Sequence, residues 1–112
     1  LVGGNDLRLV REGYSVQHVP QVVEELWRIG GALWPAVYAN DPPRPIVDDH
    51  LPWLRAGYAW VDMIGLPWQH WHTSGDKPEN CSAQSLQAVG DVVLQYIIGG
   101  KWKTAKNELV ER

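Results

Sequence analysis

Asp48-Asp49-His50 opens one segment of this chain, and Trp71-His72-Thr73, followed by Asp76, sits further along. Aspartate and histidine bind zinc, orient its ligands and move protons near neutral pH. A catalytic zinc normally takes three protein ligands and keeps one position open for water. No such trio is visible here, so metal chemistry would need donors from beyond this sequence. His70 and His72 are one residue apart, so in extended chain both rings would face the same side. That spacing leaves two readings: two ligands from one segment, or a histidine that simply caps a loop. Asp48 and Asp49 are adjacent and cannot face one another as a carboxylate dyad. On residue type alone, one of them caps a helix and the other is solvated. Trp68 and Trp71 fit either loop anchors that bury ring area or the walls of an apolar pocket.

The elements that must position these groups follow from periodicity and punctuation. Leu1 and Val2 read as the end of a strand, and Leu7 to Arg11 as a short extended segment or a loop. Pro20 suits the first position of a helix. Val22, Val23, Leu26, Trp27, Ile29 and Leu33 recur at helical spacing, predicting an amphipathic helix of roughly 14 residues. Gly30-Gly31 should weaken its last turn. Residues 34–45 carry four prolines, an Asn and an Asp and predict a loop. Asp48 or Asp49 can cap a short helix through Ala56, with Gly57 at its C-terminal end.

Tyr58 to Ile64 predicts a strand covered on both faces, followed by a loop from Gly65 to Cys81. Ser82 can cap a second long helix with Leu86, Val89, Val92, Val93, Tyr96 and Ile97 on its apolar stripe, stopped by Gly99-Gly100. The charged tail, residues 101–112, offers Trp102 and Leu109 as anchors. Helices alternating with strands predict an α/β layer. In that layer His72 would follow a long loop after a buried strand, where open sheets place their sites.

Composition narrows the class. The chain has 112 residues, 45% hydrophobic and 21% charged, as ordinary folded domains have. A net charge of −3 gives no basic footprint for nucleic acid or anionic lipid. No apolar run approaches the roughly 20 residues that span a bilayer. Cys81 is the single cysteine, so no internal disulfide can form. No signal or transit segment is visible, and the compartment stays open, secreted or periplasmic included. Leu1-Val2-Gly3-Gly4 reads like the end of a buried strand entering a turn. The expectation is therefore that upstream chain is missing; the alternative is a domain trimmed at a disordered end.

The order L-V-G, the Trp27 helix, D-D-H-x-P, the Gly57 stop, the strand, W-H-T-x-x-D and a final helix resembles metallopeptidase family twenty-eight. These are zinc exopeptidases that include bacterial aminopeptidases and glutaminyl cyclases. The resemblance runs from Leu1 to about Tyr96. It implies an α/β fold of three layers, present here in part: helices on a mixed, mostly parallel sheet whose N-terminal strands are missing. Residues 1–112 would then be the C-terminal part of the catalytic domain.

The resemblance also assigns roles. His72 would be a zinc ligand, with the Asp and Glu ligands and a catalytic Glu upstream. Asp48 would lie beside the metal, hydrogen-bonded to an acid that in relatives directly precedes the segment matching Leu1-Val2-Gly3. Two such carboxylates can share and shuttle a proton. Asp49 would cap the helix, and His50 would donate to a carbonyl or carboxylate behind the ligands. Trp71 and Trp68 would wall the pocket for the substrate's first side chain. Thr73 and Asp76 would tie the loop down, and His70 has no counterpart.

Asp48 and Trp71 are similar to the single-zinc cyclase branch. Trp53 replaces a usual Phe. Asp62 stands where animal cyclases carry a histidine, which leaves aminopeptidase open. The implied substrate is a peptide or protein N-terminus, and the chain by itself is expected to be inactive. A different class of reading is a non-catalytic, Trp-rich module that binds a protein or saccharide.

Overall fold

Helix α2 (Pro20–Leu33) is the element on which the others pack. The computed structural model describes residues 1–111. Pro20 occupies the first turn of α2, where its missing N–H is no loss. Val22, Val23, Leu26, Trp27 and Ile29 are buried, whereas Leu33 is half exposed at the helix end. Short α1 (Gly13–His18) runs directly into α2 through Val19, which is fully buried.

The glycines near the end of α2 do more than weaken it. A Cβ on Gly30 would lie inside the Tyr38 ring, so the glycine is what lets that ring rest on the helix. Tyr38 meets Trp27 edge-on, with ring centroids 5.3 Å apart and planes at 80°. The Trp27 indole N–H donates to the Ala39 carbonyl at 2.8 Å. The Tyr38 hydroxyl reaches the Ala88 carbonyl of α4 (Ala83–Gly99) at 3.1 Å. One tyrosine thus joins the two long helices.

Ser82 caps α4 by accepting the Ser85 N–H at 3.1 Å, and Gly100, with φ +76°, ends it. The buried line of α4 is Ser85, Ala88 and Val92. This corrects the expected stripe, because Leu86 and Ile97 are each 54% exposed. Small residues face α2 where Tyr38 already occupies the space between the helices. Leu94 and Ile98 join Leu86 and Ile97 on the exposed side.

The expected sheet is not formed among the described residues. Pairing is confined to three isolated bridges: Leu9 with Tyr38, Glu12 with Arg44, and Gly4 with Cys81. The first two run parallel, so the proline-rich loop lies along residues 9–13 instead of standing apart. Tyr58 to Ile64, expected as a strand covered on both faces, has no ladder. Its N–H groups go elsewhere, Tyr58 to the Trp53 carbonyl and Asp62 to the Ser15 hydroxyl. Ala59, Val61 and Met63 pack against the core, while Tyr58 and Trp60 are exposed at 57% and 42%. The period of two is present, and partner strands are not.

The tail is held by a residue of no apparent distinction. Asn107 is 2% exposed, and its amide donates to the Leu54 and Tyr58 carbonyls at 2.6 and 3.2 Å. Its side-chain oxygen accepts from Leu109 N–H and lies 3.3 Å from His18 Nδ1. Trp102 and Leu109, the expected anchors, are 50% and 36% exposed. A 3₁₀ turn (Lys101–Thr104) and α5 (Glu108–Glu111) flank Asn107. The last position of the expected charged tail lies outside the described residues. No described helix is long and apolar enough to cross a membrane.

Two neighbouring glycines give opposite expectations. Gly31→Ala meets open space and should stabilise the helix by about 0.5–1 kcal/mol. Gly30→Ala should instead destabilise by about 1–3 kcal/mol or more, because the added methyl overpacks Tyr38. Denaturant unfolding of the two variants reads the contrast, and equal effects would remove the tyrosine contact from the account.

Candidate active site

Glu12 is the most deeply buried charge among the described residues, 1% exposed, at the N-cap of α1. Its Oε1 accepts the N–H groups of Tyr14 and Ile46 at 2.8 and 2.9 Å. Its Oε2 accepts the Ser15 N–H and hydroxyl at 2.7 and 2.8 Å. His50 Nε2 completes the set at 2.7 Å from Oε2. Burial pushes this carboxyl's pKa up, but the Ile46, Tyr14 and Ser15 N–H groups outweigh it. The net position is below the ordinary carboxylate range.

α3 (His50–Arg55) begins at the histidine that Glu12 holds. Asp49 sits at the N-cap position, but its side chain accepts no capping bond. The carboxylate of Asp48 takes the Asp49 N–H instead, at 2.8 Å. That corrects the expected cap: Asp49 has a helical backbone, φ −60° and ψ −22°, and not the extended one of a capping residue. His50 Nδ1 faces Asp62 Oδ2 at 3.7 Å, and both atoms are buried without a hydrogen bond.

Asp62 borders Asp48 in turn. Burial first, and then the Asp48 carboxylate, raise Asp62 from 3.8 to about 6; Glu12 adds to this and His50 opposes it. Two carboxyl groups can hydrogen-bond only when one carries a proton, since both are otherwise acceptors. The four groups form a file from solvent to core. Asp48 is exposed, the Asp62 side chain is 14% exposed, His50 is 3% and Glu12 is 0%.

The second group of expected residues lies on the loop after Ile64. Trp68 is half-buried against Gly4, where a Cβ would come within 2.8 Å of the indole. His70 meets Trp68 edge-on at 5.3 Å and packs on Gly75. Thr73 ties the loop as expected of a hydroxyl, donating to the His70 carbonyl at 2.8 Å and accepting the Gly75 N–H at 3.2 Å. Asp76 contributes its backbone N–H, to the Thr73 carbonyl. Trp71 and His72 are exposed, their rings 4.2 Å apart and tilted. His72 has φ +57°, a left-handed backbone that non-glycine residues adopt at some strain and often at functional positions.

Asp48, His50 and Asp62 are therefore brought together, and Trp68, His70, Trp71, His72 and Thr73 form a separate cluster. No hydrogen bond or ring contact joins the two among the described residues. Nor does any group of three or more His, Cys, Asp or Glu among them converge as a metal site. The donors present do not fit a complete zinc site; exposed His72 fits a single position in one. Sequence reasoning missed Glu12 and Ser15 altogether. Their partners come from residues 46, 50 and 62, and the only local sign was an acid three residues before a serine at a helix start.

Comparison with known proteins gives a consistent answer. The model for Peptidase family M28 matches residues 11–97. The Fimbriiglobus ruber glutaminyl cyclase crystal structure superposes with TM-score 0.81 at 34% identity, over 87% of this chain and 33% of that one. A Zn-dependent exopeptidase from Parabacteroides distasonis gives TM-score 0.81 at 27% identity, over 86% of this chain and 36% of the other. A Bos taurus glutaminyl-peptide cyclotransferase-like protein is 28% identical over 93 residues, 80% of this chain and 24% of that protein. The chain thus spans a quarter to about a third of the length of these relatives.

Replacing Glu12 with Ala would strand three backbone N–H groups and a buried histidine. The expected loss is about 3–5 kcal/mol, as for breaking one side of a buried pair. Because the folded pKa of Glu12 is depressed, its contribution is full above the unfolded value of 4.5 and disappears as pH falls through the folded one. Urea unfolding at a series of acidic pH values should show a steeper slope in the parent protein than in Glu12→Ala, where Glu25 and Asp41 still contribute.

Proposed function

We propose that this chain, which belongs to peptidase family M28, supplies part of a zinc-dependent catalytic domain that acts on peptide N-termini. The observation that carries the reading is the file of Asp48, Asp62, His50 and Glu12, a graded row of acids around a histidine. Perturbed, partly desolvated acids of this kind suit proton transfer near neutral pH. The cyclases and the exopeptidase among its relatives support the substrate class.

In this reading His72 would be one ligand of a zinc ion otherwise held by residues outside this chain, and such an ion, when bound, would supply polarisation of the substrate carbonyl. Asp48 shares a proton with an acid from outside these residues. In a cyclase the substrate's α-amine forms a bond to the side-chain amide carbon of its N-terminal glutamine, and the carbon–nitrogen bond to the amide breaks. Ammonia leaves with the proton that the amine gave up. Trp71, on the exposed rim beside His72, covers the substrate's first side chain, and Trp68 backs the loop. The chain by itself is inactive in this account, since it brings one ligand.

Aminopeptidase activity is the second reading. Asp62 favours it, because an acid stands where the cyclase pattern of animals has a histidine. The choice is read from products: ammonia and a pyroglutamyl peptide from a glutaminyl peptide, or a free amino acid from an amino-acid amide. A non-catalytic role has one observation in its favour, the exposed stack of Trp53 and Trp60, with centroids 4.7 Å apart. Stoichiometric zinc in the purified complete protein would remove that role.

The roles separate by substitution in the complete protein. His72→Ala should lose both zinc and turnover. Asp48→Ala should keep zinc and lose about 10²–10⁴-fold in kcat. Trp71→Ala should mainly raise KM, since it removes burial and not a step. Metal analysis beside steady-state kinetics checks all three. Loss of zinc from Asp48→Ala as complete as from His72→Ala would make Asp48 a ligand and end this assignment.

A further inference from the structure

Trp68 backs the loop that carries Trp71 and His72, and its indole rests on Gly4, at the head of the turn formed by Asn5 and Asp6. Trp68, Pro67, Leu7 and Asp6 line one small cavity of about 50 Å³. The turn is held from several sides. The Asn5 N–H donates to the Asn80 carbonyl at 2.8 Å, and the Ser85 hydroxyl donates to the Gly4 carbonyl at 2.7 Å. Leu7 lies on Gly65, where a Cβ would collide with it. Asp6 takes a left-handed backbone, φ +55°, which aspartate and asparagine adopt more readily than most other side chains.

Two charged side chains border this cavity, Asp6 and Arg8. Arg8 is engaged elsewhere: its Nε and Nη2 donate to the Asp41 carboxylate at 3.1 and 3.2 Å. Asp6 is exposed and has no hydrogen bond or ion pair among the described residues. The turn thus presents one unpaired carboxylate beside the apolar surfaces of Leu7, Pro67 and Trp68. One kind of side chain matches both features, a long apolar stem that ends in a cation, as in lysine and arginine.

We propose that Asp6 is a specificity residue, which selects peptide substrates carrying lysine or arginine at the second or third position. The stem of that side chain lies along Leu7, Pro67 and Trp68, and its cation meets the Asp6 carboxylate. This rests on the reading that the substrate's first residue lies against the Trp71 loop, and it holds whichever bond is then broken. Gly4, under the Trp68 indole, and Asp6 are two residues apart, a span of at most about 7 Å. A substrate extended past Trp68 covers that length with its second and third residues. Because the turn is tied to Asn80 and Ser85, little ordering of the protein is needed when the cation arrives. Asp6 is exposed, so the preference is modest and sensitive to salt.

The test uses the complete protein and short peptides that begin with glutamine and carry lysine, alanine or glutamate at the second or third position. Release of ammonia and release of free glutamine both count as turnover. Calorimetric binding of the same peptides is measured beside the kinetics. At low salt the lysine peptide should show a KM about two- to fivefold below that of the alanine peptide, the range of an exposed ion pair. Its kcat should differ little, since the contact lies away from the reacting atoms. The glutamate peptide should show the highest KM. An ionic strength of about 1 M, where screening acts beyond about 3 Å, should erase these differences. Asp6→Asn keeps a residue suited to the left-handed turn and should remove the advantage of lysine over alanine. Asp6→Lys should favour glutamate.

Equal KM for the three peptides, or a lysine preference that survives Asp6→Asn, overturns Asp6 as the selector and leaves the catalytic reading standing. Binding that follows the Asp6-dependent preference without turnover ends the catalytic reading and keeps the selector. An unchanged KM in Trp71→Ala beside an intact preference would end the placement of the first residue alone. Peptides that neither bind nor react overturn both readings.

Discussion

A carboxylate removed from water must recover its hydration from the protein, and Glu12 does so from three separate places in the chain. Tyr14 and Ser15 supply the first turn of α1, Ile46 the end of the proline-rich loop, and His50 the start of α3. The isolated ion would cost several kcal/mol to bury. Each donor is therefore fixed in position as strictly as a core side chain. The Glu12–Arg44 bridge and the Gly13 N–H to Arg44 bond bring the loop to that point. α3 can only begin where it does because His50 is already committed.

That constraint reaches the acids outside it. With His50 pinned through Nε2, its other nitrogen has one direction to face, and Asp62 lies there. Ser15 holds Asp62 by its backbone N–H, and the Asp62 Oδ2 lies buried against His50 Nδ1. Hydrophobic packing does not require such an arrangement. Buried ion networks are often no more stabilising than apolar residues of the same shape. Glu12, Asp62 and His50 stand where aliphatic side chains would have served packing, which favours a chemical task for them.

Much of the scaffold could be read directly from the residues, because its signals are local. Pro20 and the spacing from Val22 to Ile29 marked α2, and Ser82 with Gly100 marked both ends of α4. What escaped depends on contacts between distant segments. Nothing near Glu12 announces that residues 46 and 50 will close on it, and nothing near Asn107 announces the Leu54 and Tyr58 carbonyls. Gly30 looked like a weakness until Tyr38 gave it a purpose. Tyr58 to Ile64 shows the opposite failure: read as a strand covered on both faces, it exposes Tyr58 and Trp60, because pattern alone cannot supply a neighbour with which to pair.

Unpaired backbone and exposed apolar surface coincide in this chain. Tyr58 and Trp60 on one segment, and Leu86, Leu94, Ile97 and Ile98 on α4, stand out of the core at 42–68% exposure. Relatives of the same fold are three to four times as long as the part this chain covers, taking the 24–36% spans as the measure. Apolar residues at helical and strand spacing are normally buried by the layer they face. The core around α2 needs no such cover and is closed by Leu9, Trp27, Tyr38 and Val92. The chain therefore combines a closed interior, which fixes Glu12 and His50, with exposed apolar outer faces. Asp48 and His72 are both exposed on separate segments, Asp48 accepting the Asp49 N–H and His72 tilted against Trp71.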